Sequence, residues 1–407
     1  MAAQSVDVLI VGAGAAGLTA AYDLHFDTTH TYKILEASSV VGGRLKKMPP
    51  GFADFPIDIG GEWIHAEPSI LDKIYADANE NPTDSIKTIP YVDSYDEYVG
   101  GEWVANEFPT EDYKFVNYTW FDFINDWIAV DVKDNIEFGC QVNSIDWSNT
   151  PVELSCADGK QWTAKHVIVT ASMKVLQDND IAFSPSLPDR TKAAIDEYYF
   201  MPGLKVFMTF KERFYREAFE FASDYQNVDV FGSRYFYSVS YGQTTKDNVL
   251  GIFAVGEAAD RFITMTDQEL FDDILQQLDG VYDGQATPNF ETGFVQNWSN
   301  EMFVKGAYTY LNDDDGALDS VHVLRESLDD KIFFAGEAVP PNNYEYGFAH
   351  EAAFSGRAAV NKITPLLSGR TPVPGKTLDE TTPPSSSLAL RFDWAICFGV
   401  VVLLFVS

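Results

Sequence analysis

The feature that most constrains the fold is a glycine-rich loop near the start of the chain. Gly12–Gly17 (Gly-Ala-Gly-Ala-Ala-Gly) follows a short apolar run at 6–11. It leads into the segment 15–24, which has few helix-breaking residues and is predicted to be a helix. A buried strand that turns through such a loop into a helix begins a βαβ unit, which binds a dinucleotide pyrophosphate at the helix N-terminus. Residues 32–35 supply the second strand. Glu36 follows it, where a carboxylate accepts hydrogen bonds from both ribose hydroxyls and disfavours the 2′-phosphate of NADP.

The small residues of this loop have separate predicted tasks. Gly12 permits the tight turn, Gly14 lets the backbone approach the pyrophosphate, and Gly17 allows the helix to pack closely on the strand. Ala15 and Ala16 lie in the first helical turn, beside the phosphates. The loop therefore predicts an adenine dinucleotide, but it leaves NAD, FAD and a turn without ligand open.

Apolar patterns predict the elements that follow. Strands are expected at 136–147, 152–156, 162–170, 201–210, 249–255 and 331–334, and helices at 266–278 and 348–363. Asp158-Gly159 marks a turn in a β meander. The segment 69–131 is mixed in composition and predicts short helices.

Length and charge narrow the class of protein. At 407 residues with 46% apolar content, the chain is expected to fold into two domains. Its formal net charge of −33 argues against nucleic-acid binding, because few cations are available to neutralise phosphates, and favours a cationic ligand. Solubility or a saline habitat explains the same charge equally well.

Cysteine and histidine usage predicts that no metal is bound. Cys140, Cys156 and Cys397 form no CxxC pair, and the histidines form no HExxH-type cluster. Cys140 and Cys156 are spaced to face each other across a hairpin. Free thiols in a reducing, cytoplasmic compartment are nevertheless the default expectation.

The C-terminal end differs from the rest of the chain. Residues 367–390 are predicted to be a linker, which includes the Pro- and Ser-rich stretch 381–387, and 391–407 form a hydrophobic tail. The uninterrupted apolar run at 394–406 is short for a membrane span. A short or truncated anchor, a lipid-anchor signal and an error at the chain end all stay open, and we favour membrane association through this tail. The N-terminus lacks a basic region, so we interpret it as part of the fold and not as a signal peptide.

Lys205 lies in the middle of a predicted strand at 201–210 in which apolar residues occupy every second position. One face of the strand is apolar, and it carries Leu204, Val206, Met208 and Phe210. Lys205 lies on the other face, and alternation alone indicates that this face meets water.

A set of motifs in a fixed order identifies the family that the chain resembles. The motifs are Gly42-Gly43-Arg44, Asp58-Ile-Gly-Gly-Glu-Trp-Ile-His65, the meander end at 167–176, Trp298, Gly306-Ala-Tyr-Thr-Tyr310, Ile332-Phe-Phe-Ala-Gly-Glu337 and the stretch 346–356. In this order and spacing, over about residues 5 to 366, the chain resembles the flavin-containing amine oxidases, which include polyamine oxidases, monoamine oxidases and flavin histone demethylases.

The resemblance implies an α/β fold with two domains. A discontinuous Rossmann-type FAD-binding domain is expected at 1–65, 132–196 and 320–366. An α+β substrate-binding domain is expected at 66–131 and 197–319.

The resemblance also implies non-covalent FAD and a set of residues that contact it. Ala307 stands where monoamine oxidases carry the cysteine that bonds the flavin. Arg44 would bring positive charge to the pyrophosphate, and Val142 would hold the adenine through its backbone. The expected cofactor contacts are Gly12, Gly14, Ala15, Ala16, Gly17, Glu36, Ala37, Gly43, Arg44, Gly60, Gly61, Glu62, Trp63, Val142, Trp298, Gly336, Glu337, Gly347 and Phe348.

Four residues are implied to act on the substrate. Tyr308 and Phe348 would flank the amine in front of the flavin, and His65 would lie near it. Lys205 matches a lysine that contacts flavin N5 through water, which reverses the surface interpretation. The implied reaction is oxidation of an amine, favoured to be a polyamine, by hydride transfer to flavin N5. O₂ is the acceptor, and the products are an imine or aldehyde and H₂O₂.

Two further departures from the family pattern and three alternative functions stay open. Val40 replaces an arginine that many relatives carry, and Ser172 replaces a proline. The segment 66–136 looks shorter than in relatives, which puts the shape of the substrate funnel in doubt. The alternatives are an oxidase of L-amino acids, a desaturase or isomerase acting on apolar substrates, and a flavin-binding protein without turnover. The oligomeric state is not predicted.

Overall fold

The glycine loop follows an interior strand of a mainly parallel sheet. The computed structural model describes residues 3–27, 29–77, 79–108, 112–221, 232–311, 315–341 and 346–367. The predicted linker and hydrophobic tail beyond 367 lie outside these residues, as does Cys397. Within them, no helix has both the length and the apolar character to cross a membrane.

The strands and helices of the described chain follow in sequence order. The first strands are β1 (Gln4–Val11), β2 (Tyr32–Glu36), β3 (Thr88–Pro90), β4 (Ser94–Val99), β5 (Glu102–Glu107), β6 (Tyr113–Phe115), β7 (Ile136–Phe138), β8 (Val142–Asp146), β9 (Val152–Cys156) and β10 (Gln161–Val169). The later strands are β11 (Ala182–Ser184), β12 (Tyr199–Phe200), β13 (Gly203–Phe210), β14 (Ala218–Phe221), β15 (Gly232–Ser238), β16 (Asn248–Gly256), β17 (Phe290–Asn297), β18 (Thr309–Tyr310) and β19 (Ile332–Phe334). The helices are α1 (Ala15–Asp27), α2 (Ile70–Tyr75), α3 (Trp120–Phe123), α4 (Val130–Val132), α5 (Met173–Gln177), α6 (Asp189–Glu197), α7 (Asp267–Val281), α8 (Ala286–Asn289), α9 (Asp315–Arg325) and α10 (Ala349–Ile363), with a π-helix at Ile124–Ala129.

The first sheet confirms the predicted Rossmann-type unit. Strands β7, β2, β1, β10 and β19 pair in parallel in that order. The near-continuous apolar runs of β1 and β19 suit a parallel sheet that is covered on both faces. Strands β8 and β9 add the predicted meander to the first half of β10.

The second sheet is mainly antiparallel, with the order β17, β13, β16, β15, β14, β4 and β5. One face of β13 packs against α7 through a core that includes Leu204, Met208 and Ile274. The other face packs against the segment 48–59 through a separate core that includes Phe207. Both faces of β13 are therefore buried, so the surface interpretation from alternation alone, which the family resemblance already reversed, does not hold.

Close packing of α10 on α1 holds the glycine loop in place. A Cβ on Gly356 of α10 would lie 2.0 Å from the Ala16 carbonyl oxygen, and one on Gly17 would lie 2.0 Å from the Gly12 carbonyl oxygen. Both distances are shorter than any van der Waals contact, so neither position has room for a side chain. Glycine at 17 thus serves helix–strand packing, as the sequence predicted.

Residues 66–131 divide between the two sheets. Strands β4 and β5 join the second sheet. The helical segments pack instead with α1 and α10, through buried residues that include Leu71, Trp120 and Ile128. The predicted short helices are confirmed, and the domain boundaries stay a prediction.

Two sequence-based expectations need correction. The predicted strand 136–147 is two strands, because Gly139 adopts a φ of 69° and turns the chain between β7 and β8. Cys140 and Cys156 are not free thiols but form a disulfide. Residue 156 lies opposite Val142 in the β8–β9 ladder, and the two cysteine Cα atoms are 5.2 Å apart, within bridging range. The cysteine argument for a reducing compartment therefore no longer holds.

The packing of α10 on α1 yields a stability test. Gly356→Ala should lower the free energy of unfolding by about 1–3 kcal/mol, because the added methyl forces the two helices apart. Gly280→Ala is the matched control, since a Cβ at this α7 position meets no atom within 4 Å. The control should raise the free energy by up to about 1 kcal/mol through helix propensity. Urea unfolding of both variants measures the difference, and equal effects would contradict the packing argument.

Candidate active site

A cleft of about 340 Å³ lies where the carboxyl ends of β1 and β2 meet β13, β15 and β16. Ligand sites in open α/β sheets form outside the carboxyl ends of the strands. All residues that the sequence predicted to contact cofactor or substrate line this cleft, except Gly17. The fold therefore brings segments from the whole described chain around one space.

Gly14 tests whether the cleft suits a dinucleotide. A Cβ at this position would meet no protein atom closer than 3.9 Å, and the backbone does not have the positive φ that favours glycine. Neither protein packing nor backbone conformation therefore requires glycine here. Glycine at position 14 is explained by a ligand that approaches the backbone closely. A pyrophosphate at the N-terminus of α1 is such a ligand.

Glu36 is oriented towards the same loop. Its carboxylate accepts hydrogen bonds from the backbone N–H groups of Ala13, at 2.7 Å, and Ser38, at 2.8 Å. These two bonds hold the carboxylate at the end of β2, while each oxygen keeps acceptor capacity for a ribose hydroxyl. Ala37 and the buried Val142 line the cleft beside it.

Arg44 and Glu337 form an ion pair in the wall of the cleft. Arg44 Nη1 donates to Glu337 Oε1 at 2.8 Å and to the Ala307 carbonyl at 3.1 Å. Thr309 donates its hydroxyl hydrogen to the other carboxylate oxygen of Glu337. The guanidinium that was predicted to face a pyrophosphate is thus held by a carboxylate that was predicted to contact the same cofactor.

Protein contacts explain the paired glycines at 60 and 61. A Cβ on Gly60 would lie 1.8 Å from the Arg44 carbonyl oxygen, and one on Gly61 would lie 2.9 Å from a Leu45 methyl. Trp298 donates its indole N–H to the Ile59 carbonyl at 3.0 Å and so holds this segment against the cleft. The predicted close approach at Gly60 is to protein backbone, which leaves its cofactor contact a prediction.

Ser172, the departure from the family's proline, has a local explanation. It is the N-cap residue of α5, where its side chain accepts from the Val175 N–H. Its hydroxyl also donates to the Val304 carbonyl at 2.8 Å. A proline could make neither side-chain bond.

Sheet register places Lys205 at the floor of the cleft. Lys205 lies opposite Phe253 of β16, which lies opposite Tyr235 of β15. Directly opposed residues share one face of a sheet, so all three point towards the cleft. Lys205 is 2% exposed, and its ammonium lies 4.8 Å from the centroid of the Trp63 ring and 5.6 Å from that of Phe253.

Glu62 neutralises this buried ammonium. Lys205 Nζ donates to Glu62 Oε2 at 2.9 Å, and Tyr237 donates its hydroxyl hydrogen to the same oxygen at 2.6 Å. The Tyr237 ring lies over Gly251, where a Cβ would come within 2.5 Å of it. Glycine at 251 therefore lets this tyrosine lie flat and reach Glu62.

A second acid–base pair lies behind the first. Asp58 is buried, and its Oδ1 has no hydrogen-bond partner among the described residues. Burial raises the pKa of Asp58 well above its ordinary value, and the Glu62 charge adds to the effect. Burial also lowers the pKa of Lys114, whose ammonium group donates to the Val239 carbonyl. Both shifts favour the neutral forms of these two groups.

His65 contacts two different groups within the cleft. His65 Nδ1–H donates to Asp112 Oδ1 at 2.9 Å, since an ionised carboxylate can only accept. The imidazole ring also packs on Phe348, with ring centroids 4.9 Å apart. Phe348 precedes α10, and the Tyr308 ring packs against Phe253, with centroids 6.4 Å apart.

Sequence reasoning missed several residues of the site. Asp112, Tyr237, Phe253 and Tyr235 belong to no recognised motif. A weak signal exists for the tyrosines, because Tyr-Phe-Tyr at 235–237 puts two hydroxyls on one face of a strand. Asp112 carries no such signal, because its contact with His65 is made between distant segments. Among the described residues, no group of three or more metal-ligating side chains is arranged to hold an ion.

Comparison with known proteins gives the family. The model of the flavin containing amine oxidoreductases matches residues 124–364, more than half of the chain, and a model of NAD(P)-binding Rossmann-like domains matches residues 10–77. The chain therefore belongs to the flavin-containing amine oxidoreductase family. This confirms the resemblance inferred from the ordered motifs.

Individual relatives match only in part. Lysine-specific histone demethylase 1B of Mus musculus is 27% identical over 205 residues, which cover 50% of this chain and 25% of that protein. Polyamine oxidase 1 of Zea mays is 26% identical over 236 residues, which cover 55% of this chain and 44% of that protein. The chain thus spans about a quarter of the histone demethylase and less than half of the polyamine oxidase.

Solved structures match over most of the chain. Cyclohexylamine oxidase from Brevibacterium oxydans has a TM-score of 0.74 at 17% identity, with 89% of this chain and 99% of that chain covered. Putrescine oxidase bound to putrescine has a TM-score of 0.72 at 15% identity, with 89% and 100% covered. At these identities the likeness establishes the two-domain α/β fold.

The cofactor follows from the family and the dinucleotide fold. It is FAD, bound non-covalently. Cys140 is the cysteine among the described cleft residues, and its sulfur is already bonded to Cys156. Gly14 and Glu36 would hold the pyrophosphate and ribose ends.

Gly14 provides a test of cofactor binding that is separate from folding. Gly14→Ala should weaken FAD binding by about tenfold or more, since a methyl would stand where the pyrophosphate approaches. The apoprotein should keep its free energy of unfolding, because the methyl meets no protein atom. Titration of FAD fluorescence and urea unfolding measure the two quantities, with Gly280→Ala as control. An unchanged affinity for FAD would contradict the close approach of the pyrophosphate to Gly14.

Asp58 predicts a pH dependence of stability. Its raised folded-state pKa contributes stability at low pH, and this contribution is lost as pH rises from about 4 through the folded-state pKa. Asp58→Asn keeps an acceptor for the Trp120 N–H but removes the charge. The free energy of unfolding of the variant relative to wild type should therefore increase between about pH 4 and pH 8. The exposed Asp196→Asn serves as control, and a constant difference for Asp58→Asn would contradict the assignment.

Proposed function

We propose that this chain is an FAD-dependent oxidase of amines, with a polyamine as the favoured substrate and O₂ as the electron acceptor. The observation that carries the proposal is the shared cleft, whose lining includes both the dinucleotide loop and Lys205, His65, Tyr308 and Phe348. When bound, FAD supplies the acceptor for a hydride from the carbon next to the amine nitrogen and then reacts with O₂ to give H₂O₂.

Tyr308 and Phe348 are proposed to orient the amine. Their rings line the cleft near its substrate side, together with Phe253 and the edge of His65. A slot between aromatic rings excludes water, which disfavours the ammonium form of the substrate and favours the neutral amine that can be oxidised.

The His65–Asp112 pair is proposed to act on the proton of the amine. Asp112 holds His65 in the tautomer with hydrogen on Nδ1, so that Nε2 keeps a lone pair. That nitrogen can accept a proton from an incoming ammonium. Asp112 is about a quarter exposed and lies within the cleft, so its negative charge also favours a cationic substrate.

Two observations favour a polyamine over other amines. The net charge of −33 raises the local concentration of polycations, and one solved relative of this fold is a putrescine oxidase bound to putrescine. The histone demethylase relatives favour a methylated lysine side chain as second candidate, which uses the same chemistry at the nitrogen.

Anaerobic reduction of the bound flavin tests the function. Spermine, spermidine, N-acetylated polyamines, putrescine, monoamines, a methylated histone peptide and L-amino acids are each added to the purified holoprotein. Bleaching of the flavin absorption by polyamines, followed by H₂O₂ on admission of air, is the expected result. Bleaching by amino acids alone, by the peptide alone or by none of them would contradict the polyamine proposal, and the last would indicate a protein without turnover.

Lys205→Met separates the two half-reactions. The variant should slow reoxidation by O₂ about tenfold or more and change reduction by the amine much less, because a cation beside the ring stabilises the negative charge that develops on oxygen. Stopped-flow absorbance measures both steps. Equal slowing of both, or normal reoxidation, would contradict the role of Lys205.

A further inference from the structure

The surroundings of Glu62 differ from those expected of a cofactor contact. Its carboxylate is 7% exposed, and one oxygen, Oε2, accepts from both Lys205 and Tyr237. Two donors on one oxygen, one of them charged, hold that carboxylate tightly. The side chain is therefore committed to the floor of the cleft.

We propose that Glu62 is a positioning residue, which holds the Lys205 ammonium at the floor of the cleft and is itself held by the Tyr237 hydroxyl. The kinetic part of this inference rests on the proposed oxidase function, but its structural part does not.

The charge pattern around Lys205 supports Glu62 as the counter-ion. Several segments around Lys205 carry aromatic or titratable groups, which are Asp58, Glu62 and Trp63 on the segment 58–63, Tyr91, Lys114 on β6, Tyr235 and Tyr237 on β15, and Phe253 on β16. The neighbouring strand β17 places the uncharged Gln296 opposite Lys205. Among these described groups Glu62 makes the direct ion pair. Asp58 is driven towards its neutral acid, and Lys114 is bound to a backbone carbonyl.

The aromatic rings around Lys205 explain why its ammonium needs Glu62 to fix its position. Rings of Trp63, Tyr237 and Phe253 lie 4.8, 5.7 and 5.6 Å from the ammonium and attract it without defining one place for it. The directional 2.9 Å hydrogen bond to Glu62 fixes the ammonium at one place among these rings. Without this bond a flexible lysine side chain has several places of similar energy around the three rings.

A cofactor-free experiment tests the pairing. The flavin-free forms of wild type, Glu62→Gln, Lys205→Met and the double variant are unfolded in urea. Each single variant leaves a buried charge without its partner, so each should lower the urea midpoint by more than the double variant does. Glu326→Gln, which breaks the exposed pair with Arg190, should leave the midpoint unchanged. Additive effects of the two buried substitutions would overturn the pairing.

A kinetic experiment on the holoenzyme tests the positioning. Glu62→Gln keeps the size of the side chain, and it should slow flavin reoxidation by about tenfold while reduction by the amine changes little. In the Lys205→Met background the same substitution should have no further effect on reoxidation, because the group that it positions is absent. Tyr237→Phe should produce a smaller loss of the same kind.

The outcomes separate this inference from the proposed function. If no amine reduces the flavin of the wild type, the proposed function fails, and the urea experiment still judges the pair. If reduction occurs but Glu62→Gln leaves reoxidation unchanged, or slows it equally in the Lys205→Met background, the positioning role is overturned while the oxidase function stands.

Discussion

The buried ion pair between Lys205 and Glu62 connects two distant segments of the chain that line the cleft. Lys205 belongs to β13 of the second sheet, and Glu62 to the segment that follows the dinucleotide-binding unit. An ammonium or a carboxylate buried alone is unfavourable by several kcal/mol, whereas the two together with the Tyr237 hydroxyl satisfy one another. The pair therefore forms only when this segment lies against β13, and both residues line the cleft there.

Glycines serve this cleft in two distinct ways. At Gly17, Gly60 and Gly356 a side chain would collide with protein backbone, so these positions hold the walls together. At Gly14 a side chain would meet open space within the cleft, so the glycine leaves room for a ligand. The glycines around the cleft therefore fall into two groups. Some allow close packing of its walls, and Gly14 keeps space for a ligand.

Much of the fold could be predicted because its signals are local. The motif Gly12–Gly17 joins β1 to the first turn of α1, and the alternation in β13 lies within a single strand. The capping box of Thr266 and Glu269 likewise marks the start of α7 within four residues. Predictions failed where a single backbone conformation or a distant partner decides the outcome, as at Gly139, which divides one expected strand into two, and in the pairing of the two cysteines.

The amino-acid sequence alone was sufficient for the dinucleotide-binding unit, the family and many of the residues that line the cleft, because neighbouring residues and ordered motifs carry that information. Alternation within β13 could not decide the environment of Lys205, since it indicates only which side of a strand a residue occupies. Whether that side meets water, a flavin or a carboxylate depends on segments far away in the chain, and Glu62 is 143 residues distant. Tertiary packing alone buries both faces of β13, closes the aromatic rings around the ammonium and brings Glu62 and Asp112 to their partners.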